Sequence, residues 1–148
     1  MAFDPRTHAS AHFSWKELAC KDWLHTAFPH DWRDDRGRPL AEELERIRQR
    51  LSWALDRDCP LYVNSAYRTL VHNTDVNGRA HSQHLEGRAA DVSCPHDCSF
   101  DVFRQAVLDA ASDSVSRIRY IKVYRDQGFI HLDIRPTKKL VVDEGRDT

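Results

Sequence analysis

The residues whose types and spacing best suit chemistry lie in two short stretches of the chain. The stretch 82–91 carries His84 and Asp91 seven positions apart, and His131 follows forty residues after Asp91. Two imidazoles and one carboxylate form a zinc ligand set that leaves a fourth position for water, as catalytic zinc sites do. Each of these residues alone has commoner structural roles, but the pattern predicts a zinc hydrolase with one zinc ion per chain.

The local sequence indicates how these side chains are positioned. A turn at Gly87, followed by a short strand over 89–92, would let His84 and Asp91 converge. The stretch 129–135 has the clearest apolar–polar alternation in the chain. Its polar residues are expected to share the face of a strand that lines a site, because alternate side chains point the same way. These residues are His131, Asp133 and Arg135.

The rest of the chain predicts a scaffold of helices and strands. We expect a capped helical turn at 14–20, a long loop over 21–38 that borders the site or is poorly ordered, a helix from Pro39 to before Cys59, a strand over 61–67, a helix over 99–112 and a strand over 118–124. Five apolar residues form the core-facing stripe of the first long helix: Leu40, Leu44, Ile47, Leu51 and Leu55. The charged residues of this helix, including Glu43, are expected to face solvent.

Composition bounds the class of protein. The 148 residues, 41% hydrophobic and 30% charged, are typical of one soluble globular domain. A net charge of −1 gives no reason to expect a nucleic acid partner. No apolar run approaches the roughly 18 residues of a membrane-spanning helix. The first residues lack the pattern of a signal peptide, so a protein made in the cytoplasm would need another route to a substrate outside it.

The four cysteines are Cys20, Cys59, Cys94 and Cys98. Without a signal peptide, reduced thiols are favoured over disulfides. The segment 94–98 is dense in soft ligands, so a structural zinc, or a metal bound there in place of the His/Asp set, stays open. Its spacing differs from the usual Cys-x2-Cys pattern.

Several motifs occur in order along the chain: Phe13-Ser14-x-x-Glu17-Leu18, Ser65-Ala66-Tyr67-Arg68-Thr69 with His72-Asn73, Ser82-x-His84-x-x-Gly87-x-Ala89-x-Asp91, and Gly128-Phe129-Ile130-His131-Leu132-Asp133. Together they resemble the M15 family of zinc D-Ala-D-Ala metallopeptidases, whose fold hedgehog signalling domains share. The resemblance extends from about Phe13 to Arg135, and several motifs in order are far more specific than one pattern match.

The resemblance implies an α+β fold of the hedgehog/DD-peptidase type, with an antiparallel sheet, flanking helices and a zinc cleft. We expect an N-terminal arm at 1–12, the peptidase domain at 13–135 and a charged, frayed tail at 136–148, in a monomer. The implied activity is hydrolysis of peptide bonds in bacterial peptidoglycan, by a D,D-carboxypeptidase or an endopeptidase such as a phage endolysin.

The resemblance also implies roles for single residues. His84, Asp91 and His131 would bind zinc. Arg68 would bind the substrate's terminal carboxylate or the carbonyl next to the scissile bond, although a salt bridge beside the site would use the guanidinium equally well. Ser82 would orient its loop or hydrogen-bond a zinc ligand.

The general base departs from the family pattern. Several branches place an acidic residue or a histidine two or three positions before the last zinc histidine, where this chain has Phe129 and Gly128. Two candidates remain. Asp133 shares the strand face of His131, either as base or as a carboxylate that steadies this histidine, and Asp126 lies in the preceding turn. If neither acts as base, the alternative is a non-catalytic, zinc-stabilised binding module like the hedgehog relatives.

Overall fold

The computed structural model describes residues 3–145, which form an α+β fold. The helices are α1 (Trp15–Leu18), α2 (Arg38–Leu55), α3 (Leu70–Asp75) and α4 (Phe100–Ala111). The strands are β1 (Tyr62–Ser65), β2 (Ala89–Ser93), β3 (Tyr120–Tyr124), β4 (Phe129–Asp133) and β5 (Val141–Asp143). Short 3-10 segments lie at His30–Trp32, Gln83–Glu86 and Arg125–Gln127, and a π-helical segment lies at Arg33–Gly37. The predicted long helices and strands are present with shifted ends, whereas α3 and β5 were not predicted.

The five strands form one sheet in the order β1-β2-β4-β3-β5. The first four pair antiparallel, as expected, but β5 lies parallel to β3. The sheet is therefore mixed, and the expectation that residues 136–148 fray is wrong for 141–143. Sequence alternation could not reveal β5, because this three-residue edge strand exposes both Val141 and Val142.

Helices α2 and α4 pack together and share one hydrophobic core with the inner face of the sheet. The predicted α2 stripe is confirmed, with Leu55 partly buried and its other members fully buried: Leu40, Leu44, Ile47 and Leu51. Burying one such side chain contributes about 1.5–3 kcal/mol. This stripe therefore stabilises the packing of the helices under the sheet that carries the site.

Glu43 is buried, so its expected position on the solvent face of α2 is wrong. Its carboxylate accepts hydrogen bonds from Ser116 Oγ at 2.9 Å and from the backbone N–H of Arg117 at 3.1 Å, and it pairs with Arg46. Buried charge is tolerated when it is paired and hydrogen-bonded in this way. The contacts attach α2 to the segment that leads into β3.

The N-terminal residues also pack against the fold. His8 forms a β-bridge with Ser14, and the predicted capping box of Ser14 and Glu17 is confirmed at α1. The division of the chain at residues 12 and 135 stays a prediction, and residues 1–2 and 146–148 of the predicted arm and tail lie outside the described range. Among the helices described, none has the length and apolar character needed to cross a bilayer.

Candidate metal centre and its cleft

Three neighbouring strands place a row of polar side chains on one face of the sheet. Asp91 on β2 is the register partner of His131 on β4, and His131 is the register partner of Lys122 on β3. Directly opposed residues of antiparallel strands point to the same face, with Cβ atoms about 4.5–5.5 Å apart. The predicted alternation of β4 is confirmed for Ile130 and Leu132, which are buried in the core, and for His131, which lines a cleft. The expectation that Asp133 also lines the site is wrong, because its side chain is fully buried.

His84 reaches the same point from outside the sheet. It lies in the 3-10 segment Gln83–Glu86, where Ser82 Oγ accepts a hydrogen bond from the backbone N–H of His84 at 3.1 Å. Gly87 ends the segment at φ +68°, a conformation that glycine adopts without steric cost. This turn, as predicted at Gly87, brings the buried His84 imidazole next to Asp91.

The hydrogen bonds of the two imidazoles direct their remaining lone pairs at one carboxylate oxygen. His84 Nδ1–H donates to the Ala66 carbonyl at 2.6 Å, which leaves Nε2 at 3.2 Å from Asp91 Oδ1. His131 Nε2–H donates to Asp133 Oδ2 at 2.8 Å, which leaves Nδ1 at 2.9 Å from the same Oδ1. If both imidazoles are neutral, three acceptor atoms face one another with no proton between them. Either a proton on His131 Nδ1 or a metal cation would satisfy them.

The three acceptor atoms suit zinc. The ligand atoms of His84, Asp91 and His131 lie within 4.8 Å of one another. In a tetrahedral site with metal–ligand bonds of 2.0–2.1 Å, neighbouring ligand atoms lie about 3.3 Å apart. The N···O distances here, 3.2 and 2.9 Å, are close to that value. Zinc-binding histidines also typically donate a hydrogen bond from the ring nitrogen that does not face the metal, as both histidines do here.

Burial and pairing set the charges of the ligands. Burial lowers the pKa of His84 against the opposing influence of Asp91, so this imidazole favours the neutral form. Burial disfavours the Asp91 carboxylate, but hydrogen bonds with His131 and His84 outweigh it and lower the pKa of Asp91. Burial also opposes charge on His131, but hydrogen bonds with Asp133 and Asp91 outweigh it and raise the pKa of His131. A bound metal would therefore displace a proton from His131.

Asp133 lies behind His131, away from the cleft. Its side chain is 0% exposed, and Oδ2 accepts from His131 Nε2 at 2.8 Å and from the Arg135 guanidinium at 2.7 Å. Oδ1 accepts from Arg135 Nε at 2.7 Å. Burial disfavours its charge, but the bonds from Arg135 and His131 lower the pKa of Asp133. This geometry suits a carboxylate that orients a zinc histidine, and its role as general base stays a prediction.

The ligands open onto a cleft of about 760 Å³, whose lining includes the segment 76–83 and side chains of β3. Ser82 lies in this lining. Asp126 does not: it is exposed in the segment Arg125–Gln127 and lines a neighbouring cavity of about 300 Å³ that shares Lys122 and Tyr124 with the cleft. Its role as general base also stays a prediction.

Arg68 is held beside the metal ligands and also lines the cleft. Its guanidinium donates to Ser65 Oγ at 3.1 Å, to Asn73 Oδ1 at 3.3 Å and to Asp91 Oδ2 at 3.4 Å. The ion pair with Asp91 and a role in binding substrate are therefore compatible, because a guanidinium has five N–H donors.

Sequence reasoning missed one part of this region and left a second open. The first is the role of β3: the strand was predicted, but not that its residues Tyr120, Lys122 and Tyr124 line the cleft, although their alternation with buried residues is a signal that could have been used. The second is the predicted loop 21–38, in which Trp32 stacks edge-on to Tyr67 and Arg36 donates to the Glu86 carbonyl at 2.8 Å. This segment borders the turn of His84, as one of the two expectations for it proposed.

The cysteine cluster does not form a comparable site. Cys20, Cys59, Cys94 and Cys98 are free thiols. Within residues 3–145, the one group of three or more His, Cys, Asp or Glu with ligand atoms in range of a shared metal is the His/Asp set. The expectation of reduced cysteines agrees with the structure, and the alternative of a metal held by the cysteines gains no support.

Comparison with known proteins agrees with this geometry. The model of the family described as Peptidase M15 matches residues 11–133, which contain every proposed metal ligand. No curated protein matches the chain.

Proposed function

The chain belongs to the peptidase M15 family, and we propose on this premise that it is a zinc-dependent metallopeptidase of bacterial peptidoglycan. It would hydrolyse peptide bonds in the stem peptides or cross-links, as a D,D-carboxypeptidase or an endopeptidase. The observation that carries the proposal is the convergence of two imidazole nitrogens on Asp91 Oδ1, at 3.2 and 2.9 Å.

The protein's own residues would prepare the site for this reaction. His84, Asp91 and His131 would hold zinc, which when bound acidifies a water molecule and polarises a carbonyl. The hydrogen bonds to Ala66 and Asp133 fix which ring nitrogen of each histidine faces the metal. Because both partners are fully buried, the ligands would be held in place before substrate arrives.

Arg68 would bind the substrate on the β1 side of the metal ligands. Its three hydrogen-bond partners hold the guanidinium at the wall of the cleft, and the remaining N–H groups are suited to a carboxylate or a carbonyl oxygen. Ser82 would act indirectly, by fixing the segment that carries His84.

If a carboxylate transfers protons in this site, we assign that role to Asp126. Both oxygens of Asp133 are occupied by hydrogen bonds within the protein, so we assign Asp133 to the orientation of His131. Asp126 is exposed in a turn next to the cleft, where a modest movement of the turn would bring it closer to substrate. Loops and turns with few packing contacts move most readily.

Digestion of purified sacculi tests the proposal. Wild-type protein with zinc is expected to release peptides, and His84→Ala is expected to release none. The control His96→Ala, at an exposed residue outside the lining of the cleft, is expected to match wild type. Removal of zinc by a chelator and its re-addition to wild-type protein gives a reversible second test that does not depend on folding of a variant. Activity of His84→Ala, or of the chelated protein, would refute the zinc assignment.

A second candidate function is a non-catalytic, zinc-stabilised binding module. Apart from Asp91, the lining of the cleft contains no carboxylate within residues 3–145, which favours this alternative. It predicts one zinc per chain and binding to sacculi, but no release of peptides from any type of cell wall. The same digestion therefore separates the two candidates.

A further inference from the structure

Lys122 continues the row of metal ligands onto the next strand. It is the register partner of His131, as Asp91 is on the other side, so the three side chains project from the same face of the sheet. Its side chain lines the cleft together with those of His131 and Asp91. A lysine side chain at this position can bring its ammonium within a few ångströms of whatever binds at the ligands, given a Cβ separation of about 5 Å.

The ammonium of Lys122 has no ion pair with any residue in the described part of the chain. It lies over the ring of Tyr124, with Nζ 5.2 Å from the ring centroid. Asp143 is its register partner on β5, but the Asp143 carboxylate accepts hydrogen bonds from the Gly145 backbone and the Tyr120 hydroxyl instead. A structural ion pair with Asp143 at the sheet edge therefore does not explain why a lysine occupies position 122.

The other cations of the cleft differ from Lys122 in position or partners. Arg135 forms two hydrogen bonds with the buried Asp133, and Arg68 pairs with Asp91. Arg79 lines the cleft from the exposed segment 76–83, outside the sheet register. Lys122 is thus a cation fixed on a strand beside a metal ligand, with its charge available to a ligand in the cleft.

The surroundings of Lys122 indicate what kind of group it would bind. Tyr124 and Phe129 stack with ring centroids 4.4 Å apart and form a flat apolar wall beside the ammonium. A cation next to such a wall suits a carboxylate carried on a short carbon chain, because the chain packs on the rings while the charges pair. In the sheet order, β3 and β1 lie on opposite sides of the strands that carry Asp91 and His131.

We propose that Lys122 determines specificity by binding a substrate carboxylate on the side of the scissile bond opposite to the group held by Arg68. The inference rests on the proposed peptidase function and narrows its substrate class to peptides with a carboxylate on each side of the metal ligands. For a peptide ending in D-Ala-D-Ala, these are the terminal carboxylate and a side-chain carboxylate on the preceding residue. The corresponding carboxamide would lack the second ion pair.

Two N-acetylated peptides ending in D-Ala-D-Ala test this inference, one with a side-chain carboxylate before the D-alanines and one with the carboxamide. Wild type is expected to cleave the carboxylate peptide with a kcat/KM about ten- to a hundredfold higher, the range expected for a charged hydrogen bond. Lys122→Met should abolish this preference by raising KM for the carboxylate peptide alone. Lys122→Arg should keep it, and the exposed Lys139→Met and the neighbouring Asp143→Asn should match wild type.

Equal cleavage of both peptides by wild type, or an equal loss on both in Lys122→Met, would overturn the inference while leaving the peptidase function intact. Calorimetry with the two acyl products, each ending in one D-alanine, gives a readout that needs no turnover. Tighter binding of the carboxylate product by wild type but not by Lys122→Met supports the inference. If neither peptides nor sacculi are cleaved, the proposed function fails, and equal binding of the two products overturns the Lys122 assignment separately.

Discussion

Replacing Asp133 by asparagine separates two roles of its carboxylate, orientation of His131 and proton transfer. The carboxylate is fully buried and accepts hydrogen bonds from His131 Nε2 at 2.8 Å and from the Arg135 guanidinium at 2.7 Å on each oxygen. Asparagine preserves the shape but removes the charge and replaces one acceptor by a donor. At least one of these hydrogen bonds must then be lost, because two donors would face each other.

The size of the effect follows from these contacts. Loss of the outer partner of a zinc histidine typically lowers metal affinity about 10- to 100-fold, which corresponds to about 1.4–2.7 kcal/mol. The free energy of unfolding of the zinc-free protein is expected to fall by about 2 kcal/mol. This is less than the roughly 3–5 kcal/mol for breaking a fully buried pair, because the Arg135 side chain is 33% exposed and can be hydrated.

Zinc affinity measured by competition with a chromophoric chelator, together with peptidase activity at saturating zinc, checks this prediction. If Asp133 orients His131, activity of Asp133→Asn recovers substantially once zinc saturates the site. Asp126→Asn is the matched control: the same chemical change at an exposed residue should leave zinc affinity unchanged and, if Asp126 transfers protons, lower activity about 10²- to 10⁴-fold. Wild-type zinc affinity with lost activity in Asp133→Asn would refute our reasoning, because it would place this carboxylate in catalysis.

Three further outcomes are expected. Elemental analysis should find one zinc per chain in a protein with Cys94→Ser and Cys98→Ser if the His/Asp set holds the metal, as we propose; loss of all zinc would contradict this. Gly87→Ala should lower the free energy of unfolding by about 2–3 kcal/mol in thermal or denaturant unfolding, since φ is +68° and the added Cβ would lie 3.0 Å from the Phe28 ring. Gly128 also has a positive φ, +76°, but no atom lies within 4 Å of the added Cβ. Gly128→Ala should therefore lower the free energy of unfolding only by the backbone strain of about 1–2 kcal/mol. An equal loss of stability in both variants would contradict the argument that contact with Phe28 adds to the cost at Gly87.

Much of the fold could be predicted from the sequence because its signals are local. The α2 stripe and the alternation of β4 each record which side of an element is buried, and the structure confirms the first fully and the second for Ile130, His131 and Leu132 but not for the buried Asp133. The buried Glu43 could not be predicted in this way. Its partners Ser116 and Arg117 lie more than seventy positions away, and nothing in the local pattern of α2 distinguishes a buried carboxylate from an exposed one.

The same distinction between local signals and distant contacts decides which parts of the site could be predicted. The types and spacing of His84, Asp91 and His131 predicted a candidate metal site, because the coordination chemistry of zinc restricts which side chains can bind it, and the structure brings the three side chains together. The neighbouring positions of Asp91 and Lys122 around His131 depend on strand order, which runs β2-β4-β3 and not in chain order. Sequence reasoning therefore identified the three residues of the candidate metal site but not the cation beside them.

The register of β4 links the metal site to the core. Ile130 and Leu132 are fully buried on one face of this strand, and His131 between them projects from the other. A slip of one residue would bury His131 and expose both apolar side chains, at about 1.5–3 kcal/mol for each large apolar side chain removed from the core. Core packing alone therefore fixes His131 opposite Asp91, before any metal binds. If His131 binds zinc as proposed, metal affinity should depend on the packing of β4 as well as on the ligands themselves.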